Sequence, residues 1–269
     1  MDTVIFVASH KKYRMPDSQI YLPIHVGRAG KEDIGFIGDD TGENISKENP
    51  RFCEMTGIYW AWKNYPADYI GFVHYRRYFT QKNLLQRIGK DKFASVLTKE
   101  ELTPLLEEYP LILPTRRKYY IETMYSHHVH LPYVYEKDLQ MLRQVIGSLA
   151  PDYLSAFDTV MKRTSCHMFN MFIMRWHEFD AYCNWLFPLL FETDRQIDVS
   201  GYTPVEARAI AYMAEFMLDV WNEKQQLPYY ELPVIFMEKQ NWLVKCGRFI
   251  LRKVFHRDNI GGKIDVVSL

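Results

Sequence analysis

Short apolar runs recur along the chain, and several of them stop abruptly at polar, mostly basic clusters. Thr3 to Ala8 reads as a first strand and ends in Ser9-His10-Lys11-Lys12. Tyr69 to Val73 reads as a buried strand and ends in His74-Tyr75-Arg76-Arg77. Leu111 to Pro114 is a third run, followed by Arg116-Arg117-Lys118, and His167 to Met174 reads as a fourth. Apolar strands that end this way deliver the polar cluster to a crevice at the carboxyl edge of a sheet.

Between the strands the spacing changes to helical. Asn49 can cap a helix with Pro50 at its first position, and Arg51 to Asn64 carries Met55, Ile58, Tyr59 and Trp62 at helical intervals until Tyr65-Pro66 stops it. The order strand, long loop, helix, strand is an α/β crossover, which favours parallel pairing of the first strand with the Tyr69 strand. Residues 81–108 read as mostly helical. Helices also suit 133–157, broken at Pro151, as well as 179–191 and 204–221. The last of these has Ala207, Ile210, Ala211, Ala214, Met217 and Leu218 on its apolar face. Tyr13 to Asn49 reads as loop. Within it, the glycine-punctuated stretch Gly35 to Asn44 reads as a binding loop whose Asp39 and Asp40 can accept ribose hydroxyls or hold a metal. There is no internal repeat or low-complexity linker, so the expected organisation is one domain over 1–240 and a basic amphipathic segment over 241–269.

Composition narrows the class. Of the 269 residues, 48% are hydrophobic, 15% aromatic and 25% charged, which describes a globular chain. Formal net charge is zero, so a bulk polyanion such as nucleic acid is not an expected partner and any cationic site must be local. Cys53, Cys166, Cys183 and Cys246 form no metal or redox spacing and suit a reduced, cytoplasmic setting. No signal peptide and no membrane-spanning apolar stretch is read.

The candidate chemistry follows from the strand ends. Lys11, Lys63, His74, Arg76 and Arg77 are cations suited to a diphosphate, since arginine forks match phosphate oxygens bidentately. His127, His128, His130 and His167 lack the spacing and companions of a zinc set, so no metal site is assigned to them. Trp60, Trp62, Trp176, Trp185, Trp221 and Trp242 can stack on sugars, although most are expected in the core. Trp242 to Arg257 alternates apolar and basic residues, as does a helix lying on an anionic membrane surface.

Phe52-Cys-Glu-Met-Thr-Gly-Ile-Tyr-Trp-Ala-Trp-Lys63-Asn64, followed by Tyr69-Ile-Gly-Phe-Val-His-Tyr-Arg-Arg-Tyr-Phe79, resembles a bacterial family of capsular and exopolysaccharide glycosyltransferases. Much of that family is known only as a domain of unknown function, and some members are described as galactofuranosyltransferases. The likeness continues through Tyr120-Ile-Glu-Thr-Met-Tyr-Ser-His127, His167 to Met174, Ser200-Gly-Tyr202 and Leu232-Pro-Val, and so covers nearly the whole chain. It implies an α/β, GT-A-like nucleotide-sugar-binding sandwich with a mostly parallel central sheet flanked by helices. It also implies transfer of a sugar from a nucleotide-sugar donor, UDP-linked by preference, to a glycan or lipid-linked acceptor. Galactofuranosyl transfer is one version. Such a protein works in the cytoplasm, peripherally on the inner face of the plasma membrane if the anchor is real.

By the same resemblance, Ala8, Ser9, His10 and Lys11 hold the nucleotide. His74 and Arg76 stand where the family fold carries two metal-binding aspartates, so the positive charge would act directly on the leaving diphosphate. No cofactor is then required. A divalent metal is not favoured, although Asp39 and Asp40 leave one open. The candidate base for the acceptor hydroxyl is Asp198, Glu206 or Glu215, with Arg76 as electrostatic catalyst. A non-catalytic nucleotide- or glycan-binding module is the main alternative. A phosphoryl-transfer or hydrolytic enzyme lacks its usual signatures here.

Overall fold

A computed structural model describes residues 2–238 apart from Lys90. Cys246 and the expected membrane-surface helix, Trp242 to Arg257, lie outside the described residues. The strands are β1 (Thr3–Ser9), β2 (Tyr21–His25), β3 (Ile37–Gly38), β4 (Tyr69–His74), β5 (Arg77–Phe79), β6 (Leu111–Pro114), β7 (Arg117–Lys118), β8 (Ser165–Cys166), β9 (Phe172–Arg175), β10 (Tyr229–Leu232) and β11 (Val234–Phe236). The helices are α1 (Asn49–Phe52), α2 (Met55–Asn64), α3 (Leu84–Arg87), α4 (Lys99–Glu108), α5 (Met124–Val129), α6 (Glu136–Leu149), α7 (Leu154–Lys162), α8 (Trp176–Gln196) and α9 (Ala209–Gln225).

The central sheet runs β10-β6-β9-β4-β1-β2-β3, with β5 and β11 as a side branch. The expected crossover is present: β1 and β4 pair in parallel, from Thr3 opposite Tyr69 to Ala8 opposite His74. Pairs β1–β2, β2–β3 and β6–β10 are parallel as well, and β9 is the antiparallel member of the main path. Successive residues of one strand face opposite sides of a sheet. Accordingly Val4, Phe6 and Ala8 of β1 enter the core beneath α2 and α5 to α9, while Ile5 and Val7 enter a second core with Tyr78, Phe79, Leu97, Leu102 and Leu106. The sheet is thus buried on both faces, which explains why its strands read as continuous apolar runs. Each buried Val, Leu, Ile or Phe contributes about 1.5–3 kcal/mol. Where β4 crosses β9 the backbones approach closely. A Cβ on Gly71 would lie 2.9 Å from Ile173 Cγ1 and 3.1 Å from the Phe172 carbonyl oxygen.

Three local expectations need correction. The stretch 13–49 is not all loop, since β2 and β3 within it extend the sheet. The helix expected over 51–64 is broken at Cys53, whose backbone turns to φ 46°, ψ −127°, and α2 starts anew at Met55. The strand expected over 167–174 begins only at Phe172, because Phe169 and Asn170 take φ of 83° and 50° and reverse the chain.

Candidate functional site

Parallel pairing puts the ends of β4, β1, β2 and β3 side by side. Ala8 lies opposite His74, Ser9 opposite His25, and His25 opposite Gly38. The three segments singled out in the sequence, Ala8–Lys11, Asp39–Asp40 and His74–Arg77, therefore meet at one carboxyl edge. Tyr75 is buried at its centre. The His10 ring lies edge-on to it at 5.4 Å and the Tyr13 ring at 4.9 Å, with Lys11 Nζ at 5.3 Å and the Arg76 guanidinium at 5.1 Å over its face. His10 is held below the usual imidazole range by burial and then by the cations Lys11, Arg76, Lys31 and Arg208. Arg76 also pairs with Glu238 at 3.3 Å. Ser9 closes the turn, its hydroxyl donating to the Lys11 carbonyl at 2.6 Å. Beside it, His25 is buried and neither of its ring nitrogens has a hydrogen-bond partner among the described residues, an unmet polar demand at this edge.

Deeper in, the two backbone reversals bring new groups to the cluster. The break at Cys53 presents Glu54 to the end of β4, where its Oε1 lies 3.8 Å from His74 Nε2. Asn170 Nδ2 donates to the same oxygen at 2.8 Å. His74 Nε2 is 2.8 Å from the Phe169 carbonyl oxygen, which can only accept, so that nitrogen carries the proton. Burial lowers the His74 pKa, Arg77 and Arg76 push the same way, and Glu54 and the Phe169 carbonyl oppose. The ring is therefore neutral at pH 7, and the expected cation His74 is instead a neutral hydrogen-bonding post between β4 and the 169–170 turn. The charge comes from Arg76 and Arg77. Arg77 stacks on Phe169 at 4.5 Å and lies in the field of Glu215 and Glu54.

Glu215 projects from α9 into this group. Burial raises its carboxyl, Glu54 adds to the rise, Arg77 and Arg117 oppose, and the net position is about 7. It makes no hydrogen bond to another described residue. A carboxyl with that setting changes protonation near neutrality and can give or take a proton. Positive-φ backbone at residues other than glycine costs on the order of 1–3 kcal/mol each. Three of the five such residues described, Cys53, Phe169 and Asn170, frame this cluster.

The remaining candidates sit differently. Asp39 is fully enclosed, and it accepts from Gly27 N (2.7 Å), Arg28 N (3.0 Å), Ser46 Oγ (2.5 Å) and Thr56 Oγ1 (2.6 Å). Asp40 pairs with Arg28 at 3.2 Å. Lys63 lies over the Trp62 ring at 3.6 Å and faces Glu43 at 3.6 Å, near the other end of α2 from Glu54, about 13.5 Å of helix away. Asp198 is exposed and accepts from Ser200 N at 2.9 Å. Glu206 accepts from Thr203 N and Oγ1, both at 2.7 Å, and from the Tyr135 hydroxyl at 2.8 Å; these bonds hold its carboxyl below the usual range.

Three of the histidines form carboxylate links, while His128 is buried with its Nε2 unpartnered among the described residues. Glu122 receives His127 Nδ1 at 2.9 Å and His130 Nδ1 at 3.2 Å, and the His127 ring lies against Tyr119 at 3.9 Å. Asp219, one turn beyond Glu215 on α9, binds His167 Nδ1 at 2.5 Å and His167 N at 2.9 Å. Among the described residues no group of three or more His, Cys, Asp or Glu is arranged to hold a metal. Glu54 and Asn170 are contributors the sequence reading missed. Asn170 had a visible signal, as a lone amide inside an apolar run, while Glu54 had none apart from its place in the quoted motif.

The family described as domain of unknown function DUF4422 matches residues 4–226. Among solved structures, the apo form of the WbbM bifunctional glycosyltransferase matches at 30% identity with a TM-score of 0.82, covering 89% of this chain. The chain spans less than half of that protein, 46% of its length. No curated protein resembles the sequence closely enough to count as a match. Both findings agree with the resemblance carried by the Phe52–Phe79 motif. The chain thus has the fold of a glycosyltransferase, and it belongs to the DUF4422 family.

Proposed function

We propose that this protein transfers a sugar from a nucleotide-sugar donor to a glycan or lipid-linked acceptor, with the crevice at the carboxyl edge of β1 and β4 as the active site. One observation carries the reading: Arg77, with Arg76 beside it, lies in the field of a carboxyl raised to about 7, Glu215, on a frame of strained backbone. Transfer needs both halves. As the anomeric C–O bond to the donor's β-phosphate breaks, its electron pair stays on the diphosphate, and Arg76, Arg77 and Lys11 offset the growing negative charge. As the acceptor oxygen bonds to the anomeric carbon, its proton passes to Glu215, with the configuration inverted.

Of the three candidate bases, Glu215 is preferred because Asp198 and Glu206 are occupied by local backbone and hydroxyl donors. Asp39 is assigned to structure, since four donors already engage its oxygens. With Asp39 so engaged and Asp40 on Arg28, the proposal includes no divalent metal. UDP is the proposed carrier. The capsule or exopolysaccharide setting, and galactofuranose as the sugar, rest on the family resemblance.

A panel of nucleoside diphosphates and nucleotide sugars, screened by thermal shift, tests the reading, because a ligand that binds only the folded state raises apparent stability by mass action. Stabilisation by UDP and a UDP-sugar, lost in Arg76→Ala and Arg77→Ala, is the expected result. Stabilisation by none of them would favour the non-catalytic alternative or a different ligand class.

A further inference from the structure

Three large aliphatic side chains project from one point of the surface. Leu84 is 75% exposed, Leu85 79% and Ile88 72%, on the single-turn helix α3 and its C-terminal cap. Asn83 and Gln86 close a reciprocal capping box around that turn, Gln86 N donating to Asn83 Oδ1 at 3.0 Å and Asn83 N to Gln86 Oε1 at 2.8 Å. The turn is thus fixed by its own polar residues, and its apolar ones face outward with nothing described covering them.

The surroundings are cationic. Among the described residues of 82–92 are Lys82, Arg87 and Lys92 against a single acid, Asp91, in a chain whose net charge is zero. Asp91 is itself taken up by Arg14 at 2.5 Å, while Lys82 approaches Glu101 at 4.0 Å. The segment also adjoins the crevice. Lys92 Nζ binds the carbonyls of Phe236 at 2.6 Å and Met237 at 2.9 Å, next to Glu238, the partner of Arg76. The described residues end at Glu238 on this same face.

We propose that residues 82–92 dock the protein on an anionic lipid surface, with Leu84, Leu85 and Ile88 inserted at the headgroup boundary and the basic residues on the anionic lipids. A convex turn of three aliphatic side chains ringed by cations suits that medium. A stable protein interface instead needs about 800 Å² per partner and is usually anchored by aromatic residues, which this turn lacks. Docking here would hold the Arg76 side of the crevice toward the bilayer, where a lipid-linked acceptor would present its sugar. That consequence rests on the transferase reading; the docking itself does not.

The test is co-sedimentation of the full chain with vesicles of phosphatidylcholine alone or mixed with phosphatidylglycerol, using wild type, the triple variant Leu84→Ser/Leu85→Ser/Ile88→Ser, and Arg87→Glu. Melting temperature and UDP binding are measured in parallel. Wild type should bind the anionic vesicles and release as salt is raised. The triple variant should bind roughly tenfold more weakly or worse, on the scale of losing buried aliphatic groups. Arg87→Glu should weaken binding severalfold, and all three proteins should melt alike and bind UDP alike. Equal vesicle binding by wild type and triple variant would overturn the proposal. So would its replacement by concentration-dependent self-association that the triple variant abolishes. Loss of UDP binding in wild type, with vesicle binding intact, would instead count against the transferase reading alone.

Discussion

Asp39 and Glu215 are both carboxylates set into the carboxyl edge of the sheet, and the protein treats them in opposite ways. Asp39 is wrapped by two backbone amides and two hydroxyls, from Ser46 and Thr56, and ties β3 to the turn after β2 and to the start of α2. Glu215 has no hydrogen-bond donor among the described residues; burial raises its pKa, Glu54 adds to that, and Arg77 and Arg117 oppose. A carboxylate whose lone pairs are filled serves the fold. One that is half-buried and left unfilled keeps a proton within reach of neutral pH. The same contrast separates Glu206, which fastens Thr203 and Tyr135, from Glu215, although the two lie only nine residues apart.

The contrast breaks most sharply under substitution of Glu215. Glu215→Gln should lower kcat by about 10²–10⁴-fold, the usual contribution of a positioned proton acceptor, with the melting temperature at pH 8 unchanged or higher. Steady-state release of nucleoside diphosphate alongside a melting curve reads both quantities. A variant that keeps its rate would return the role of base to Asp198 or Glu206.

Next in size is loss of either arginine. Arg76→Ala or Arg77→Ala should cost about 2–4 kcal/mol of transition-state stabilisation, or roughly 30- to 1,000-fold in kcat/KM. Full activity in both variants would dispose of the cationic clamp, and a collapsed melting temperature would show that the arginines serve folding.

Asp39→Ala should give the reverse pattern. Stranding enclosed donors costs about 1–3 kcal/mol each. A net loss of about 3 kcal/mol would lower the melting temperature by roughly 6–12 °C in a chain of this size. Activity per folded molecule should fall far less than in Glu215→Gln. An undisturbed melting temperature with lost activity would place Asp39 in the chemistry after all.

The fourth expectation concerns pH and stability. The folded pKa of Glu215, about 7, lies above its ordinary value of 4.5, so the folded state holds a proton that the unfolded state releases. Its stabilising contribution is complete below about pH 4.5 and is lost as pH rises to about 7, a change of about 1–3 kcal/mol given the partial exposure of the residue. Denaturant midpoints compared across this window for wild type and Glu215→Gln would show a slope in the first that is missing from the second. Identical slopes would place the raised pKa elsewhere. The smallest effect is expected from a chelator: transfer should continue in excess EDTA, and complete loss restored by manganese or magnesium would revive a metal role for Asp40.

The broad frame was legible because continuous apolar runs can end at charge only where a buried strand reaches an edge. Ala8–Lys11 and His74–Arg77 followed from that pattern, and Glu215 was one of three acids named as candidate base, with nothing in the sequence to prefer it over Asp198 or Glu206. Glu54 and Asn170 owe their positions to backbone reversals at Cys53 and at Phe169–Asn170. None of these is glycine, and local propensity continues a helix or a strand through all three. Asp39 was assigned to ligand binding because an aspartate that accepts ribose hydroxyls and one that pins a turn share the same Gly-Asp-Asp-Thr-Gly setting. The donors that tell them apart, Ser46 and Thr56, come from residues the pattern does not pair with it. His74 was read as a cation for a similar reason, since only its burial beside two arginines shows that it is neutral.

The most direct test of the central claim is the pH dependence of turnover with a UDP-sugar, followed as UDP release, in wild type and Glu215→Gln. The account predicts that kcat/KM for wild type rises with pH through about 7 to a plateau, and that Glu215→Gln runs at least a hundredfold lower without that inflection. A UDP-sugar turned over by both proteins with the same profile would contradict it.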